Sequence, residues 1–288
     1  MKLVTFSHRG YTSIGKAEGP TVVDLPASDP AIPRSMRDLL AAGPRLLDRA
    51  RELDPKNGVT FPLSDVRLEA PVQPSKYLAI GLNYADHVAE ANQIGYKVPD
   101  TQVWFNKQVS CVNGPFDPVH FPKVSDMLDY EAELGVVIGR RCHRVSVADA
   151  RSAIAGYLVC NDVSVRDWQR RSPTMQLGKS FNTTGPIGPW IVTDDEVADP
   201  HALDIRMLVN GQVRQQSRTD RMIHNIYEQI AYLTTVMTLE PGDVLATGTP
   251  SGVGAAMSPP SYLKVGDVMR VEIDGVGHIE NRVVAEPL

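Results

Sequence analysis

Short apolar runs broken by glycine and proline dominate the chain beyond position 74, and that rhythm predicts strands rather than helices. The runs Tyr77–Ile80, Leu134–Ile138, Tyr157–Cys160, Pro189–Thr193 and Ile205–Val209 read as strands. So do Val213–Gln216, Val244–Thr247, Val268–Ile273 and His278–Val284. Asn210-Gly211 is the dipeptide of a two-residue type I′ hairpin, and Asp274-Gly275 offers a second tight turn. Helical spacing appears in three places. Met222–Val236 is the long one, with Ile223, Ile226, Ile230 and Leu233 on one face, while Val147–Ile154 and His87–Gln93 are short. Many strands without strand–helix alternation exclude a doubly wound sheet or a TIM barrel.

The first 70 residues follow a different pattern. Leu3–Phe6 and Val22–Leu25 predict two strands. Ser35, with Asp38 three residues on, predicts a helix start leading into Leu39 and Leu40. After Gly43-Pro44 an amphipathic pattern resumes through Leu46, Leu47 and Ala50 to Leu53. Pro71–Pro74 then reads as a linker. The expected organisation is a small α+β unit over residues 1–70 and a mainly β body over residues 71–288.

Composition narrows the classes. The 288 residues carry a net charge of −5, which argues against nucleic-acid binding. No apolar run reaches the roughly 20 residues needed to cross a bilayer, and the first residues lack a signal-peptide core. Cys111, Cys142 and Cys160 are far apart and odd in number, so they read as reduced thiols. The expectation is a cytoplasmic protein without a membrane partner.

Candidate chemistry begins at Asp129-Tyr130-Glu131-Ala132-Glu133-Leu134-Gly135. If Leu134–Ile138 is a strand, Glu131 and Glu133 point to one face, since alternate residues do. Two like charges at the edge of a core require a cation between them or remain protonated. A solvated strand end is the other reading. Asp162 follows a second apolar strand and is either a third oxygen ligand or a turn residue. Three carboxylates suit Mg²⁺ or Mn²⁺. His87 and Glu90 stand three apart on a short helix, either as an oriented general base or as an exposed pair. Lys179, in Gly178-Lys179-Ser180-Phe181, either faces an oxyanion or is solvated. The run Thr247-Gly248-Thr249-Pro250-Ser251-Gly252-Val253-Gly254 offers backbone N–H groups to an anion and is not a Walker loop.

Taken in order, five segments resemble the fumarylacetoacetate hydrolase family: Gly81 to Glu90, Asp129 to Gly139, Asn161 to Gln169, Gly178 to Phe181 and Thr247 to Gly254. The resemblance spans about residues 74–284. It implies a mixed β-sandwich roll, mainly β with α+β elements, preceded by the small N-terminal α+β domain of the bacterial acylpyruvase-like members. It also implies a homodimer and a divalent metal, Mg²⁺, Mn²⁺ or Ca²⁺, held by Glu131, Glu133 and Asp162. By the same motifs His87 and Glu90 are the water-activating dyad on a lid, and Lys179 is the oxyanion partner. Arg166, Gln169 and Thr249 hold the substrate's polar groups, and Lys107 is a further lysine near the substrate. The implied reaction is hydrolysis of a C–C bond in a 2,4-diketo acid, releasing pyruvate or a similar 2-oxo acid. Decarboxylation or isomerisation of a 2-oxo or hydroxymuconate-type acid is the alternative. Two positions depart from the family pattern: Asn182 stands where many members have Asp, and Val165 where Ala is common.

Overall fold

The computed structural model describes residues 1–93 and 100–287. Its core lies between two sheets. The larger runs in the order Thr60–Pro62, Thr21–Asp24, Tyr11–Glu18, Lys2–His8, Gly185–Thr193, Ile154–Asn161, Ala132–Ile138, Val244–Ala246, Tyr77–Gly81 and Val103–Lys107. The smaller runs Gln212–Arg218, Asp204–Val209, Val268–Ile273, Gly277–Ala285 and Val119–Phe121. This is the mixed, mainly β roll that the resemblance implies.

The strand Ala132–Ile138 lies inside the larger sheet and is buried on both faces. Leu134, Val136 and Ile138 pack toward Ile205, Met207, Met269 and Val271 of the smaller sheet. The other parity faces away, and Val137 joins a cluster with Leu158, Cys160, Ile187, Leu3, Leu25, Leu39 and Leu40. Residues 1–70 therefore share a core with the body. They also extend its sheet, since Lys2 pairs with Val192 and Leu3 with Ile191. All three cysteines are free and buried. No described helix is long and apolar enough to cross a membrane.

Local sequence chemistry explains most element ends. Ser35 accepts a hydrogen bond from the Asp38 N–H and caps the helix Met36–Ala41, as its spacing predicts. At the hairpin, Asn210 and Gly211 have φ of 51° and 77°, the type I′ combination. The expected helix at Val147–Ile154 is instead a short 3₁₀ turn, Ala150–Ala153, and Ile154 opens a strand. Ser146 and Asp149 bond to each other there, drawing the backbone into a turn. The long helix starts at Ile226 rather than Met222, because Asn225 and Glu228 form a capping box. Apolar spacing alone did not predict the strands Tyr11–Glu18 and Val103–Lys107.

Candidate active site

Strand register gathers the acids. Ala132 pairs with Asn161, so Glu131 and Asp162 meet at the shared end of two adjacent antiparallel strands. The Asp162 N–H donates to the Glu131 carbonyl at 2.9 Å, and the Glu131 N–H donates to Asn161 Oδ1 at 3.1 Å. Glu133 lies two residues further along the same strand face. Ligand oxygens of Glu131, Glu133 and Asp162 fall within 4.8 Å of one another, and all three residues are buried.

Three cations face them. Lys179 Nζ donates to Glu131 Oε2 at 2.8 Å and to Asp162 Oδ2 at 2.7 Å, which leaves one of its three N–H groups for the cavity. Arg166 donates to Asp129 at 2.8 Å, to Glu131 at 2.6 Å and to Gln169 at 2.9 Å. Its Nη2 is buried without a partner among the described residues. Lys107 differs from the expectation. Its side chain is 0% exposed, and it donates to Asp162 Oδ1 at 2.7 Å, the Lys179 carbonyl at 2.7 Å and the Thr184 carbonyl at 3.0 Å. With its three N–H groups spent behind the acids, Lys107 orients Asp162 and is not part of the cavity lining.

Charge balance favours a cation among the acids. Among the described residues, the buried acids Asp129, Glu131, Glu133 and Asp162 face three buried cations, Lys107, Lys179 and Arg166. Burial opposes ionisation of Glu131, but Lys179 and Arg166 outweigh it and hold the carboxyl down to about 2. Burial, followed by Asp162 and Glu131, pushes Glu133 well above the usual carboxylate range. Glu133 is thus the acid without its own counter-charge. Among the described residues it receives only the Gly248 N–H, at 2.8 Å. Hard oxygen donors, one of them uncompensated, fit a small divalent ion.

The dyad stands across the same cavity. His87 Nδ1 lies 2.9 Å from Glu90 Oε2 on the helix Ala85–Gln93, as their spacing predicts. Glu90 Oε1 accepts the Gly252 N–H at 3.1 Å, so the glycine loop holds the carboxylate. Glu90 thereby fixes the ring and leaves Nε2 to exchange protons. Asn83 anchors the entry to this helix, donating to the His224 and Thr247 carbonyls at 3.0 and 2.8 Å. Of the lid that the resemblance implies around His87 and Glu90, residues 94–99 lie outside the described residues.

One cavity of 560 Å³ is lined by His87, Glu90, Glu131, Glu133, Arg166, Gln169, Lys179 and Thr249. Ile80, Val103, Phe105, Met175 and Val253 form its apolar wall. The end of the glycine loop enters the lining through Val253, Ala255 and Ala256. Thr249 spends its hydroxyl proton on the Ala132 carbonyl at 3.0 Å and accepts from Gln215 at 2.8 Å. Asn182 is exposed and Val165 is buried against the core; neither lines the cavity.

Two organising residues carried no separate signal in the sequence. Asp129 accepts the Gly254 and Ala255 N–H groups at 2.8 and 2.9 Å while it holds Arg166, and so joins the glycine loop to the acid cluster. Its parity with Glu131 and Glu133 was the available clue. Gln215 is the fully buried polar residue of an otherwise exposed-looking strand, and nothing local marks it. At Gly252 (φ +102°) an added Cβ would lie 2.0 Å from the Arg214 carbonyl. Gly252→Ala is therefore expected to cost about 1–3 kcal/mol in denaturant melts and to loosen Glu90. A melt indistinguishable from wild type would refute that role.

The comparisons with known proteins agree with this geometry. Residues 76–284 match the family model for the fumarylacetoacetate (FAA) hydrolase C-terminal region. The chain is 43% identical over 291 residues to a mitochondrial oxaloacetate tautomerase of Xenopus laevis, covering 99% of this chain and 90% of that one. Fumarylacetoacetate hydrolase from Exiguobacterium antarcticum superposes with a TM-score of 0.87 at 35% identity, over 99% of this chain and 100% of that one. Maleylpyruvate hydrolase from Sphingobium sp. SYK-6, solved with manganese(II) and pyruvate, gives 0.82 at 33% identity over 100% of both chains. The match covers most of the chain and includes every acid of the central cluster, so this protein belongs to the fumarylacetoacetate hydrolase family of enzymes.

Proposed function

We propose that this chain is a metal-dependent enzyme of 2-oxo acid chemistry whose reaction is keto–enol tautomerisation of an oxaloacetate-type acid. The observation that carries the reading is the placement of the His87–Glu90 pair and the Glu131–Glu133–Asp162 cluster on one cavity. The likeness to an oxaloacetate tautomerase over 99% of this chain supports the choice of reaction. The neighbour bound to manganese and pyruvate supports a divalent ion as cofactor.

Glu131, Glu133 and Asp162 would hold that ion, which polarises a 2-oxo carbonyl when bound. The remaining steps belong to the chain's own side chains. Glu90 keeps the proton of His87 on Nδ1, and Nε2 takes a proton from the substrate carbon or returns it. The free N–H of Lys179 and the unpaired Nη2 of Arg166 stabilise the oxygen on which charge develops. Ile80, Val103 and Phe105 exclude water beside them.

Hydrolysis of a 2,4-diketo acid is the second reading. It is favoured by the tether of Glu90 to the Gly252 N–H, which holds His87 as a base suited to water. In that reaction His87 deprotonates water, and hydroxide attacks the distal carbonyl before the C–C bond breaks. One experiment separates the two. Purified protein with Mg²⁺ or Mn²⁺ is given freshly dissolved enol-oxaloacetate and, separately, a set of acylpyruvates. Accelerated loss of the enol absorbance without pyruvate release supports the tautomerase. Pyruvate release from an acylpyruvate, with no effect on the enol, overturns it in favour of the hydrolase.

A further inference from the structure

Three arginines cluster around the short helix Arg166–Gln169, and two of them are committed. Arg166 holds Asp129, Glu131 and Gln169. Arg171 stacks on Trp168 with its guanidinium 3.7 Å from the ring centroid and lies 3.8 Å from Asp167. Arg170 is different. It lines the catalytic cavity, it is exposed, and among the described residues its side chain has no acceptor. Residues 94–99 contain no carboxylate to supply one.

Its position along the wall is defined by the helix. The Arg170 N–H donates to the Arg166 carbonyl at 3.2 Å, so the two arginines are one helical turn apart on one side. A substrate held at the acid cluster would occupy the same cavity as the Arg170 side chain. The neighbours of Arg170 in the lining are the apolar Pro173 and Met175 and the uncharged Gln169 and Ser172. A guanidinium with no internal acid binds a carboxylate through two parallel N–H groups.

We infer that Arg170 is the specificity-determining residue of this cavity and receives the second carboxylate of a dicarboxylic 2-oxo acid. The inference rests on the proposed metal-held 2-oxo acid reading and deepens it. A monocarboxylate of the same length leaves Arg170 in water and gains nothing from it. Because Arg170 is exposed, its contribution falls as salt rises.

The test uses the Mn²⁺-loaded 288-residue chain and displacement calorimetry against oxalate, which fills only the inner end. Oxaloacetate and 2-oxobutanoate have the same four carbons and differ only in the terminal carboxylate. Wild type is expected to prefer oxaloacetate, and Arg170→Ala to reduce that preference about tenfold. Binding of oxalate and 2-oxobutanoate should stay within twofold, and Arg170→Lys should restore part of the preference. If oxalate binds but the oxaloacetate to 2-oxobutanoate ratio is the same in wild type and Arg170→Ala, the role of Arg170 is overturned and the metal-held reading stands. If oxalate fails to bind the loaded wild type, both fall together.

Discussion

His87→Ala is expected to lower turnover by about 10²–10⁴-fold, the usual contribution of a positioned general base. Oxalate binding to the Mn²⁺-loaded variant should stay within twofold of wild type. The separation follows from the geometry. His87 bonds to Glu90 and to no member of the acid cluster, and its side chain is largely shielded without being a core residue. Removing the ring therefore takes away the proton-transfer nitrogen and leaves Glu131, Glu133 and Asp162 in place. Glu90→Gln should give a smaller loss, because Nδ1 keeps a hydrogen-bond partner but loses the charge that favours imidazolium. Wild-type turnover in His87→Ala would remove the ring from the mechanism under either reaction. Equal losses of turnover and oxalate affinity would instead assign it a binding role.

Lys107→Met carries the largest expected cost in stability. Truncating one member of a fully buried ion pair typically costs about 3–5 kcal/mol, since the other charge remains in the interior without compensation. Here Asp162 would lose its 2.7 Å partner, and the carbonyls of Lys179 and Thr184 would lose their donor. Lys179 still reaches Asp162 Oδ2, so the lower end of that range is the better expectation. Urea melts would measure it. Asp162→Asn combined with Lys107→Met should cost clearly less than the sum of the single changes, because the pair is then removed together. Strict additivity would show that the two side chains are not energetically coupled.

The sequence marked Lys107 only as a lysine near a substrate, and the structure places it behind the acids. A strand residue shows its parity in the sequence, but not which layer lies against each face. Val103–Lys107 forms the sheet edge beside Tyr77–Gly81, and that pairing aims Lys107 at Asp162 rather than at the cavity. The short helix expected at Val147–Ile154 failed for a related reason. Its apolar spacing matched a helix, but Ser146 and Asp149 satisfied the backbone locally, and Ile154 was claimed by the sheet. By contrast, the Asn210-Gly211 hairpin, the Ser35 cap and the His87–Glu90 contact were legible, because each depends on residues within four positions of one another.

The sequence by itself determined the mainly β body, the family and the shared face of Glu131 and Glu133, since strand parity is a two-residue rule. It also supplied the residue types of the site: three acids, a His–Glu pair and a lysine. Tertiary structure decided how they meet. The pairing of Ala132 with Asn161 sets Asp162 against Glu131, and the fold of the glycine loop ties Glu90 to Gly252. It also decided which positive charges are spent inside and which face the cavity: Lys107 and most of Arg166 are spent, while Arg170 is not. Those contacts join residues dozens of positions apart. They depend on register and layer order, which no local pattern of side chains encodes.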